Sequence, residues 1–264
     1  MVAHYIILYM GRVRIGRSSA PVVSSIRWLI IVLVLWVAAR LLADTGPNSL
    51  GSWPLSFFEL LALVPLPALA AFAFVRLFLA VVQSASGSLN TYTLTASPWA
   101  VMFWLSLATA LLGYGSRITA SALLTRMPDL IRHGDFARMI TFFHDNLSLP
   151  LVGAGFFGVT AVILVLGRGA APPMFGLERP LTALGSLLTY GYAVLYLALV
   201  AQGAMFVPAL LGSAGLAGFG LWLMGGYEAT QDPVGLLVIP GNLAAAATLI
   251  VWALVIGGRP VWPL

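Results

Sequence analysis

The sequence predicts an all-α protein that lives in a membrane: a polytopic bundle of six spanning helices, with seven as the alternative, plus a Pro-broken re-entrant or peripheral segment and an interfacial amphipathic helix. Three observations carry this prediction. Of 264 residues, 61% are hydrophobic and 8% charged, with a mean hydropathy of +1.01. A soluble domain spends about 25% of its residues on charge, and its water-facing surface grows with its mass, so this composition cannot cover a soluble surface. Apolar runs near the ~20 residues that one bilayer crossing needs recur along the chain, and Gly, Pro and charge collect between them. We read residues 1–264 as a single integral membrane domain whose first partner is the lipid bilayer.

The elements follow in order. Tyr5 to Met10 is apolar and is followed by Arg12, Arg14 and Arg17, the reverse of a signal peptide's basic-then-apolar order, so no cleavable leader is expected. Ser25 to Ala43 reads as the first span, with Arg27 and Arg40 near its ends where long side chains reach the headgroups. Asp44 to Ser56 carries Gly46, Pro47, Gly51 and Pro54 and reads as a loop. Phe57 to Val82 is long enough to cross but holds Glu59, Pro65, Pro67 and Arg76, so a broken, re-entrant helix is expected there. Pro98 starts a span running to about Gly115.

Met127 to Asn146 is the most polar stretch. Charged residues and histidines there alternate with Leu130, Ile131, Phe136, Ile140, Phe142 and Phe143, a pattern suited to a helix lying in the interface. Leu147 to Gly167 is a span whose Gly153, Gly155 and Gly158 offer a smooth surface to a neighbour. Leu181 to Gly225 is twice the length of one crossing and is expected to turn near Gln202 and Gly203. Leu236 to Ile256 is the last span.

Six crossings with a cytoplasmic N-terminus put Arg117, Arg126, Arg132, Arg138 and Arg259 in the cytoplasm, as the positive-inside rule prefers; seven crossings put the first four outside. That preference selects six. It also makes the Pro65 and Pro67 region a candidate pathway element, since broken backbone at membrane depth must line protein or a water-filled cavity.

Chemistry is limited by what is missing. There is no cysteine, which removes disulfides, iron–sulfur ligation and thiolate nucleophiles. All thirteen basic residues are arginine, so a Walker lysine and Schiff-base chemistry are absent. The arginines sit at span ends without a dense basic stripe, so nucleic acid is not an expected partner. No motif of an intramembrane hydrolase or lipid-phosphate transferase is present, and no catalytic activity, cofactor or metal is expected on this chain alone.

The candidate substrate or proton path is Glu59, Arg76, Pro65 and Pro67. A carboxylate at membrane depth costs roughly 2.5–3.5 kcal/mol on insertion scales. Glu59 therefore reads as a helix-start residue favoured by the dipole, as a proton- or substrate-handling acid, or as an ion-pair partner of Arg76. The candidate docking surface for a partner subunit is Arg126, Arg132, His133, Asp135, Arg138 and His144. His133 and His144, eleven residues apart on one helix, would be about 16 Å apart, too far to share a metal. Gly212, Gly215 and Gly218 read as a packing stripe.

The functional expectation is a permease-like transport component of a multi-protein complex, energised by a partner ATPase, in a prokaryotic inner membrane. The alternative is a cofactor-free anchor, quinone-site or proton-path subunit of a redox complex.

Overall fold

A computed structural model describes residues 20–45, 57–86, 96–126, 134–168, 170, 174, 176–200, 205–225 and 231–256. Every regular element among them is helical: α1 (Ala20–Thr45), α2 (Phe57–Leu63), α3 (Pro65–Ser86), α4 (Pro98–Arg126), α5 (Asp135–Thr141), α6 (Ser148–Gly167), α7 (Glu178–Ser186), α8 (Tyr192–Val200), α9 (Phe206–Met224) and α10 (Pro233–Ile256). A π-helical turn, Phe142–Leu147, joins α5 to α6, and a second, Leu187–Gly191, joins α7 to α8. The result is seven helical rods long and apolar enough to span a membrane.

Local sequence explains the helix starts. Pro98 and Pro233 open α4 and α10 at the position where a missing N–H costs nothing. The residue before each is the cap: Ser97 Oγ accepts from the Ala100 amide at 3.2 Å, and Asp232 Oδ1 accepts from the Val234 and Gly235 amides at 2.9 and 3.1 Å.

The rods alternate in direction, and their ends meet in pairs. At the near end, where α1 starts, Arg27 pairs with Glu178 at the start of α7, and Arg76 Nη2 on α3 donates to Ser24 Oγ at 3.4 Å. The Ser84 hydroxyl donates to the Ala170 carbonyl, and the Met174 amide to the Gln231 carbonyl at 2.8 Å. At the far end, Trp36 on α1 meets Tyr114 on α4, ring centroids 5.2 Å apart, and Arg40 lies over the Tyr196 ring. Between the ends, a core that includes Ile26, Leu77, Phe78, Phe103, Ile163 and Leu237 is sealed from the surroundings. The outer faces are covered with large apolar side chains such as Phe72, Leu105, Leu112, Trp222 and Leu254, as lipid-facing surfaces are.

Close backbone approach knits the rods together. A Cβ at Gly155 on α6 would come 2.4 Å from the Ala110 amide and 2.5 Å from the Ser106 carbonyl on α4, and one at Gly113 would meet the Ser148 carbonyl at 2.7 Å. Only glycine allows that contact, the way helices associate where water supplies no driving force. In α10, Pro240 removes one donor from the ladder, and the Gly241 amide beside it donates to Ser186 Oγ on α7 at 2.9 Å.

Three expectations are corrected here. The Phe57–Val82 segment is not a re-entrant hairpin: α2 and α3 form one rod from the far end to the near end. Val64 N bonds to the Leu60 carbonyl at 3.1 Å and Ala68 N to the Val64 carbonyl at 3.4 Å. Pro65 and Pro67 each remove a single donor, which helices tolerate where neighbours pack around them.

The polar stretch is not a separate interfacial helix from Asp135 onward, because α5 continues through the π turn into α6 as one rod. Gly134 at φ 102 precedes its first turn.

The glycine stripe does not pack as a unit. Gly212 abuts the Phe157 ring, whereas Gly215 and Gly218 face open space. A three-residue repeat drifts around a helix of 3.6 residues per turn, so those three glycines cannot share one face.

Glu59 and Arg76 are seventeen residues apart along the α2–α3 rod, about 25 Å at 1.5 Å per residue, so their backbones sit toward opposite ends of it. The turn expected at Gln202 and Gly203 falls outside the described residues. Its flanking helices α8 and α9 pack together through Val194, Ala198, Phe206 and Ala209.

Candidate functional site

Five helices converge at the far end around a cavity of about 90 Å³. From α1 come Leu33, Trp36, Val37 and Arg40; from α2, Ala62 and Leu63; from α4, Tyr114 and Arg117. Leu149, Val152 and Phe156 of α6 and Tyr192, Ala193, Tyr196 and Leu197 of α8 complete the wall, and the π turn contributes Thr189. The Leu187–Gly191 turn thus brings Thr189, whose hydroxyl donates to the Gly185 carbonyl at 2.6 Å, into the lining at a π-helical turn, a feature that recurs at functional sites.

The wall is apolar except for a band of arginine and phenol. Arg40 Cζ lies 5.5 Å from the Tyr196 ring centroid, and Tyr196 stacks on Tyr192 at 6.0 Å with 22° between the rings. Spacing makes this band possible: Tyr192 and Tyr196 are one turn apart on α8, as are Tyr114 and Arg117 on α4, so each helix presents two polar groups to the same space. Arg117 Nη1 is sealed from solvent with no hydrogen-bond partner. Among the described residues no acidic side chain lines the cavity, and no three His, Asp or Glu side chains gather as metal ligands. The arrangement can hold an anion by charge-assisted hydrogen bonds and an apolar body by contact.

The residues singled out from sequence lie mostly elsewhere. Arg76 is exposed at the near end, between Ser24 and the Trp28 ring, whose centroid is 5.9 Å from Arg76 Cζ. Pro65 and Pro67 mark the kink just inside Ala62 and Leu63. Glu59 is in the first turn of α2, one turn before Ala62. Of the docking set, Arg126 ends α4, Asp135 and Arg138 face outward with 3.8 Å between them, and His144 lies in the π turn. Arg132 and His133 lie outside the described residues. Sequence reading missed Arg40, Arg117, Tyr114, Tyr192 and Tyr196. In sequence, Arg40 and Arg117 look like ordinary span-end arginines, and nothing there brings them together.

Protein-family models, curated proteins and solved structures were all compared with this chain, and none matches it.

Proposed function

We propose that this chain is a permease-like transport component of the prokaryotic inner membrane, crossing it seven times, with the far-end cavity as its substrate site and a partner protein supplying energy. The observation that carries this reading is the convergence of Arg40 and Arg117 from separate rods on one largely apolar cavity. Ionisable residues inside membrane spans are expensive to keep and mark ligand or ion pathways.

The positive-inside rule supports a cytoplasmic near end. Arg12, Arg14 and Arg17 adjoin it in sequence, and Arg27, Arg76, Arg168 and Arg179 belong to it. At the far end, two of the arginines line the cavity, leaving Arg126 and Arg138 among the described residues. In this orientation a cytoplasmic partner meets the near-end surface around Arg27, Glu178 and Arg179. The Arg126–His144 region faces the other compartment and would dock a partner only from there.

Gentle solubilisation from the native membrane, followed by identification of stoichiometric partners and reconstitution in liposomes, tests the reading. A nucleotide-hydrolysing partner and nucleotide-dependent substrate movement are expected. Recovery with haem- or flavin-bearing subunits instead would replace it with the redox-anchor role, in which the cavity would face a quinone.

A further inference from the structure

The cavity grades from polar to apolar along the helix axes. Arg40, Arg117 and Tyr196 lie within three residues of the far ends of their spans, at Leu42, Ala120 and Ala198. Leu33 is two turns further in on α1, about 10 Å deeper than Arg40 at 1.5 Å per residue, and Phe156 is two turns further in than Leu149 on α6. The space therefore has a charged mouth and a hydrocarbon floor.

At that mouth Arg117 is the unmet group. A guanidinium is charged at every accessible pH, and its forked donors match the two oxygens of a carboxylate or phosphate. With Nη1 sealed from solvent and unpartnered in a half-buried side chain, it is a costly group unless an acceptor sits beside it. A neutral amphiphile would leave that charge unmet, and a small inorganic anion would leave the apolar floor unfilled. We infer that the cavity binds an amphiphilic oxyanion, a carboxylate or phosphate head on a hydrocarbon chain. The head sits against Arg117 beside the Arg40–Tyr196 pair, and the chain runs inward past Leu33, Val152 and Phe156.

The inference rests on the transport reading only for what happens after binding, so it is tested on the isolated full chain. Thermal unfolding in a neutral maltoside detergent is followed while dodecyl phosphate, dodecanoate, dodecanol or inorganic phosphate is added. A saturable rise in Tm with dodecyl phosphate or dodecanoate is expected, because a ligand that binds only the folded state stabilises it. Dodecanol and inorganic phosphate at equal concentration should give a shift at least about tenfold weaker in apparent affinity.

Arg117→Gln should weaken dodecyl phosphate binding by about tenfold or more. Ala193→Phe, which keeps the arginines but fills the space, should remove the saturable shift while the unliganded protein still unfolds cooperatively. Absence of a saturable shift with both oxyanions, or equal binding by wild type and both variants, overturns the inference. Inorganic phosphate binding as tightly as dodecyl phosphate overturns it too, because the site would then serve a water-soluble anion. Loss of the shift alongside intact partner-dependent transport sinks this inference and leaves the transport reading standing. A saturable shift in a chain that copurifies with redox subunits does the reverse.

Discussion

Arg40 Cζ sits 5.5 Å from the centroid of the Tyr196 ring, tying the end of the first rod to the end of the fifth across the mouth of the cavity. A guanidinium over an aromatic face is held by the ring quadrupole, more strongly where water is scarce. Tyr196→Phe keeps the ring and should leave stability within a few tenths of a kcal/mol, whereas Tyr196→Leu should lower it by about 0.5–2 kcal/mol. Thermal unfolding in detergent reads both. Equal losses from the two variants would show that the hydroxyl, and not the ring, does the holding.

The α4–α6 contact gives a sharper test of packing. A side chain at Gly155 meets backbone at 2.4 and 2.5 Å, and backbone cannot rotate out of the way. Gly155→Ala should destabilise by about 1–3 kcal/mol. Gly215→Ala, where nothing lies within 4 Å, should leave the unfolding temperature nearly unchanged. Comparable effects from the two substitutions would mean that α4 and α6 are not in close contact.

Ser186 Oγ accepts the Gly241 N–H at 2.9 Å, beside Pro240 in α10, and so ties α7 to α10. Ser186→Ala removes that interhelical bond. Interhelical hydrogen bonds in membranes average about 0.6 kcal/mol and reach about 1.7, and full burial of Ser186 and Gly241 argues for the upper half of that range. A chemical-denaturation series on wild type and variant measures it, and an unchanged midpoint would show that the helix satisfies Gly241 by itself.

Much of this architecture was legible because bilayer thickness imposes a length on every crossing. The apolar runs at α1, α6, α9 and α10 are helical at close to their expected bounds, α4 runs on from the expected end near Gly115 to Arg126, and the Gly153, Gly155 and Gly158 surface does receive neighbouring groups. The α2–α3 rod was misread because two prolines within three residues look like a break, although each removes only one donor from a helix that neighbours hold in place. The polar Asp135–Asn146 stretch was misread for the opposite reason. Its alternating pattern is real, but a π turn carries the backbone directly into α6.

The cavity was not legible at all. Arg40 and Arg117 are seventy-seven residues apart in sequence and look like ordinary span-end arginines. Only the tertiary arrangement turns both inward, and no single-helix periodicity encodes that.

The direction of the rods is the claim on which the site's compartment and the partner's side both depend. The natural chain has no cysteine, so Pro21→Cys, Asp135→Cys and Arg179→Cys can each be labelled alone with a membrane-impermeant maleimide in sealed, oriented vesicles. Seven alternating rods put Pro21→Cys and Arg179→Cys on one side and Asp135→Cys on the other. Labelling of Pro21→Cys and Asp135→Cys from the same side would contradict the arrangement and return the α2–α3 segment to a path that does not cross.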